Sequence, residues 1–312
     1  MPLDSSPTSN PMLVGHANEY FGNESQFVAR QIAPVFATNE QASTYIVSEA
    51  ENLLSTPSNI ERAPGTAYGE LSMRISQDTY NCIDRGISVP VADEIRKKYR
   101  RSWDADKAAV QKGVMTVLSA REVLLAGLAT GAGVTAQAMT ALTGANGDTF
   151  LAEVSTELEE IRRLTGVRPN TLVINATEWE DHIKFDSQLL ARIKNNGNGV
   201  LSEVTKRSLA AVLELDQVVV PMGVKNTAKD GQTVAGGEIW TAGEAYICHT
   251  PGPGAPLDAP ASFRTFTWSE VATDIDVVTF REQKRKRDVH QVFCYEDVKL
   301  TGAALTRQLT GL

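Results

Sequence analysis

The clearest regularity along the chain is a period-two alternation of apolar and polar positions in residues 66–91. Leu71, Met73 and Ile75 alternate with Glu70, Ser72, Arg74 and Ser76. After Gln77 and Asp78, Ile83, Ile87, Val89 and Val91 alternate with Asp84, Gly86, Ser88 and Pro90. Alternation on both sides of a short turn predicts a β-hairpin with one apolar face. A lone two-stranded hairpin is at best marginally stable in water, so that face needs a cover. Its sequence surroundings offer none. The expected cover is a second copy of the chain, with Leu71, Met73, Ile75, Ile87 and Val89 as contact residues.

A helical pattern follows over residues 104–128. Val110, Val114, Val117, Leu118, Leu124, Leu125 and Leu128 fall close to one stripe. Asp104 is placed to cap the helix and Asp106 lies in its first turn, where a carboxylate favours the helix dipole. Gly113 is its one weak point. About 25 residues at 1.5 Å each give a rod of roughly 37 Å, long enough to serve as the spine of a domain.

Beyond a small-residue stretch at 129–148, helices and strands alternate. A helix over 149–164 should stop at Gly166, with Pro169 beyond it. A buried strand at 171–175, short helices at 178–183 and 187–194, and a helix capped by Ser202 come next. Strands at 217–221, 238–241 and 244–249 complete an α/β layer. Residues 250–260 hold four prolines and read as a turn or linker. Alternation then returns in residues 263–295, interrupted by a charged bend at 281–287.

The first 61 residues have a different character. They contain seven acids and one base, Arg30, with short apolar clusters and no sustained period. They read as an acidic, extended arm, and residues 1–11 as a polar tail. No basic-then-apolar leader is visible, and no apolar run approaches the ~20 residues that span a bilayer. A soluble protein made in the cytoplasm is expected. The formal net charge of −8 argues against wholesale binding to nucleic acid or anionic membranes. Cys82, Cys248 and Cys294 fit neither a disulfide framework nor a zinc pattern, and point to a reducing compartment.

Candidate chemistry is sparse. His16, His182, His249 and His290 share no metal-ligand spacing. No nucleophile elbow occurs, and neither Thr130–Gly133 nor Gly252–Gly254 has the lysine or spacing of a phosphate loop. Glu159 and Glu160 lie beside Arg162 and Arg163 and read as a solvated helix face. No catalytic, cofactor-binding or metal residue is therefore assigned. Two basic runs remain, residues 96–101 and 284–287. They could contact phosphate, form solvated turns, or pair with the acidic arm of another copy. For Arg96, Lys97, Lys98 and their neighbours the last reading is favoured, given the charge asymmetry of the chain.

The order arm, hairpin, long helix, α/β segment and returning strands resembles the major capsid proteins of tailed phages. Encapsulin compartments and herpesvirus shell floors share that fold. Arg62-Ala63-Pro64-Gly65 leads into the hairpin as in the family's extended loop. Residues 102–128 look like its spine helix with lead-in. Residues 161–183 look like the helix–strand–helix that opens its axial domain, and residues 263–305 like the closing strands of its peripheral domain. The resemblance implies an α+β fold divided into an arm (1–55), extended loop (56–92), peripheral domain with spine helix (93–147), axial domain (148–262) and peripheral closing strands (263–312).

It further implies a self-assembling icosahedral shell subunit without enzyme activity or cofactors, arranged as hexamers and pentamers. The shell would belong to a virion assembled in a host cytoplasm, touching its packaged DNA only weakly and non-specifically. Partners would be a separate scaffolding protein, a portal and decoration proteins, since no long helical scaffold segment is seen at the N-terminus. The alternative is an encapsulin-type shell storing cargo enzyme, which the extended acidic arm disfavours. A soluble α/β enzyme built on residues 149–249 is the third reading, and it lacks a catalytic constellation.

Overall fold

The computed structural model describes residues 8–9, 26–48, 54, 61–62, 64–65, 68, 75–99, 104–195, 203–228, 232–233, 235–271 and 274–312. The amino-terminal part supplies β1 (Thr8–Ser9), α1 (Ala29–Ile32), β2 (Val35–Thr38) and β3 (Ala42–Ser48). β4 (Ile75–Asn81), β5 (Ile83–Ala92), α2 (Asp93–Tyr99) and the long α3 (Ala105–Ala129) follow. Next come β6 (Thr135–Ala138), α4 (Gly147–Thr165), β7 (Thr171–Ile174), a π-helical turn at Trp179–Ile183, α5 (Ser187–Asn195) and α6 (Lys206–Leu213). Short strands β8 (Gln217–Val219), β9 (Val224–Asn226), β10 (Gly236–Glu238) and β11 (Glu244–Cys248) lead to β12 (Phe263–Trp268). β13 (Asp276–Glu282), β14 (Arg287–Leu300) and β15 (Arg307–Thr310) close the chain.

Two sheets organise these elements. In the first, β14 is the common strand, bordered by β13, β12 and β5, with β1 and β2 at the margins. In the second the order is β6-β15-β11-β7-β8. The final strand β15 therefore lies in the second sheet, beside β6 from just after α3.

α3 forms as its stripe predicts, with the Asp104 carboxylate accepting from the N–H groups of Asp106 and Lys107. Its middle lies on the first sheet, where Val110, Val114, Val117 and Leu118 pack with Ile275, Val277, Val292 and Cys294. Burying a Val or Leu side chain contributes about 1.5–3 kcal/mol, so this seam holds α3 to the first sheet. Gly113 sits against the first sheet, over Val292. A Cβ there would lie 2.5 Å from Cγ2 of Val292, so the helix needs a residue without a side chain at that point.

The central strands β7 and β11 of the second sheet are buried on both faces, which is why β7 reads as a continuous apolar run. Leu172 and Ile174 face a core formed with α4, α5 and α6, whereas Val173 faces a core with Leu125, Ala129 and Phe263. α4 ends as its sequence predicts, on Gly166 in a left-handed conformation at φ 73°. α6 is capped by Thr205 in a reciprocal bond with Ser208; Ser202, the expected cap, lies outside the described residues. Each cysteine is buried and free.

The predicted hairpin is a correction. Its two arms do not pair with one another. β4 pairs antiparallel with the upstream strand β3, from Ala42↔Asn81 to Ser48↔Ile75. β5 instead runs along β14, from Ile83↔Glu296 to Ala92↔Arg287. The alternation marked strands but not their partners, and Gln77 and Asp78 lack the glycine or asparagine that a tight hairpin turn favours. The chain between the true arms, residues 49–74, lies mostly outside the described residues, as do Leu71 and Met73.

Candidate assembly surface

The β3–β4 ribbon is built from a buried root outward. Gln41 and Cys82 close the root, the Cys82 N–H donating to the Gln41 carbonyl at 2.8 Å. Above them Tyr80 stacks on Phe266, with centroids 4.5 Å apart, and Tyr45 packs on the same ring at 5.2 Å. The Tyr45 hydroxyl donates to Asp78 across the ribbon at 2.9 Å, and the Asn81 N–H donates to Asp297 of β14. Seven residues per arm at about 3.4 Å each carry the ribbon roughly 24 Å from root to end.

The pairing register sorts its side chains. Tyr45, Val47 and Tyr80 share the face turned to the chain's own core. Ile46 and Ile75 lie on the opposite face, diagonally across the ribbon. Ile46 is 60% and Ile75 59% exposed. Two β-branched aliphatic side chains thus stand in solvent on one face of a ribbon whose other face is anchored by aromatics. Ile75 was expected at such a surface; Ile46 was missed because its short apolar cluster was read as part of the arm.

The remaining expected contact residues separate. Ile87 is exposed on β5, but Val89 is half-buried against Val91, Ala105 and Ala109 of its own chain. β5 is therefore covered on one side by α3 of its own chain. The Arg96 guanidinium bonds Asp106 and Asp288 of its own chain at 2.6 Å each, where the sequence suggested the acidic arm of another copy as partner. Those bonds raise its pKa, that to Asp106 most. Lys97 and Lys98 are exposed on α2.

A buried network joins the arm to both sheets. Glu122 of α3 accepts from the backbone N–H of Val28 and Ala29 at the start of α1, and from the indole N–H of Trp240. Beside it, Arg121 donates to Glu296 of β14 at 2.6 Å and to Asp274 at 2.8 Å. Asp274 also pairs with Arg30 of α1. Such a network cross-links α1, α3, the first sheet and the axial segment. Among the described residues no group of His, Cys, Asp and Glu could hold a metal ion, and no helix is long and apolar enough to cross a membrane.

No family model matches the sequence, and no curated protein matches it. Solved structures do. A phage-related protein from Bordetella bronchiseptica RB50 is 19% identical, with a TM-score of 0.72 over 98% of this chain and 99% of that chain. The capsid of cyanophage P-SCSP1u is 12% identical, with a TM-score of 0.57 over 89% of this chain and 86% of that one. This chain has the tailed-phage capsid fold. A virus-like particle from Pyrococcus furiosus is also similar, at 12% identity and a TM-score of 0.56 over 96% and 98% of the two chains.

Proposed function

We propose that this chain is the major capsid protein of a tailed phage, a non-enzymatic subunit that assembles into an icosahedral head around double-stranded DNA. The observation that carries the reading is the ribbon. Its root is locked by aromatics, and its outer face presents Ile46 and Ile75 to solvent in a chain that shares its fold with a phage capsid structure over 89% of its length. A second copy covers that face in an assembled shell of hexamers and pentamers. Scaffolding, portal and decoration proteins are the remaining partners, and the virion is where the protein resides.

The likeness to the Pyrococcus furiosus particle supports a second reading, a compartment holding protein cargo. The contents of purified particles, DNA or protein, separate the two. The assembly claim itself is tested by Ile46→Asp combined with Ile75→Asp. Each Ile side chain fully buried at a contact contributes about 1.5–3 kcal/mol, so the variant should fold with an unchanged circular dichroism spectrum yet sediment as small species. Normal shells from this variant would refute the assignment of the ribbon.

A further inference from the structure

The two basic runs, nearly two hundred residues apart in sequence, meet at one end of the peripheral domain. The Asp93 N–H that opens α2 donates to the Lys286 carbonyl at 3.2 Å, and Ala92 pairs with Arg287. Residues 93–99 and 281–288 together hold eight cations and four carboxylates. The arginines take most of the acids. Arg281 binds Asp93 through two contacts of 2.6 Å and reaches Asp288 at 3.0 Å. Arg96 binds Asp288, and Arg287 binds Glu282 at 2.7 Å. Glu94 lies one helical turn from Lys98. Lys97, Lys284, Arg285 and Lys286 remain on the outside, exposed, with Arg285 only 3.8 Å from a Glu282 already held by Arg287.

We propose that this tip is a contact surface for the phosphate backbone of nucleic acid. The division of labour favours phosphate over the acidic arm of a second copy. Arginine forks have already matched the carboxylates, and the outward charges are mainly lysines, hydrated point charges on flexible stems that suit a sequence-independent polyanion. The rest of a chain of net charge −8 repels DNA, so contact is confined to this tip. The inference rests on the reading of a DNA-filled shell for the source of its ligand.

The test is fluorescence anisotropy of the purified full chain with a mixed-sequence DNA duplex across a salt series. Each phosphate contact contributes roughly 0.9 to the slope of log affinity against log salt. Lys97→Gln, Lys284→Gln and Lys286→Gln combined should flatten that slope by about 2–3. Arg207→Gln with Lys225→Gln, exposed cations of the axial domain, should leave it unchanged. Absence of duplex binding, or equal slopes for the triple variant and wild type, overturns the proposal. So does a triple variant that binds duplex normally but fails to assemble, since the tip is then a contact between copies. If wild type forms no closed particles while the slope difference persists, the shell reading fails and this inference stands.

Discussion

The carboxylate of Glu122 accepts the indole N–H of Trp240 at 2.6 Å, although Glu122 lies on α3 and Trp240 between β10 and β11. Its other oxygen accepts from Val28 at 3.1 Å and Ala29 at 2.7 Å. One acidic side chain thus ties the start of α1, α3 and the β10–β11 connection together without a cation among its described hydrogen-bond partners.

Glu122→Gln should cost stability, because an amide has one accepting oxygen and its NH2 must face either Trp240 or the α1 backbone. Each orphaned buried donor costs about 1–3 kcal/mol, read from urea unfolding. The pH dependence has a definite sign. Burial is the largest influence on Glu122 and lifts its carboxyl above the ordinary 4.5, against the pull of its three N–H donors. The native state then holds the proton more tightly than the unfolded chain, so stability rises as pH falls through the raised value towards 4.5. Glu157, raised by burial first and Glu160 second, has the same sign. The expected result is therefore a steeper rise in wild type than in Glu122→Gln over that window. Parallel curves would contradict the role given to Glu122.

Gly113→Ala tests the contact between spine and sheet. In an open helix the change gains about 1 kcal/mol from propensity. Here the new Cβ would press on Val292 at 2.5 Å, and overpacking of this kind costs about 1–3 kcal/mol. A net loss is expected, with Val292→Ala in the same chain relieving the clash. A double-mutant cycle measures the coupling, and additive effects would show that the helix does not approach the sheet there.

A shell built from this chain should not be covalently stitched through lysine–asparagine bonds. Such a bond needs a neutral lysine amine on the extended loop, and residues 1–96 contain no lysine. The cations of that region are arginines, whose guanidinium stays protonated and does not attack an amide. Mature particles on a denaturing gel should give a single band near 33.8 kDa, or below it after trimming. A ladder of linked subunits would refute this.

Local signals were legible in the sequence and distant pairings were not. The Asp104 cap, the stripe of α3 and the Gly166 stop depend on neighbours within one or two turns, and each stands where its residues predicted. The partners of β4 and β5 lie 27 or more positions away, as in Ser48 with Ile75 and Ala92 with Arg287. Alternation carries no record of them. Glu122 escaped notice because a single acid in a helix reads as solvated. A signal was present, since it lies four residues after Leu118 and three before Leu125, on the apolar stripe itself.

The central claim is that copies of this chain close into a shell. Electron microscopy of particles purified from cells expressing the chain together with its neighbouring genes addresses it most directly. Closed icosahedral shells, with the β3–β4 ribbon of each copy lying across the next, are the predicted result. Small soluble species alone, with or without the neighbouring genes, would contradict it.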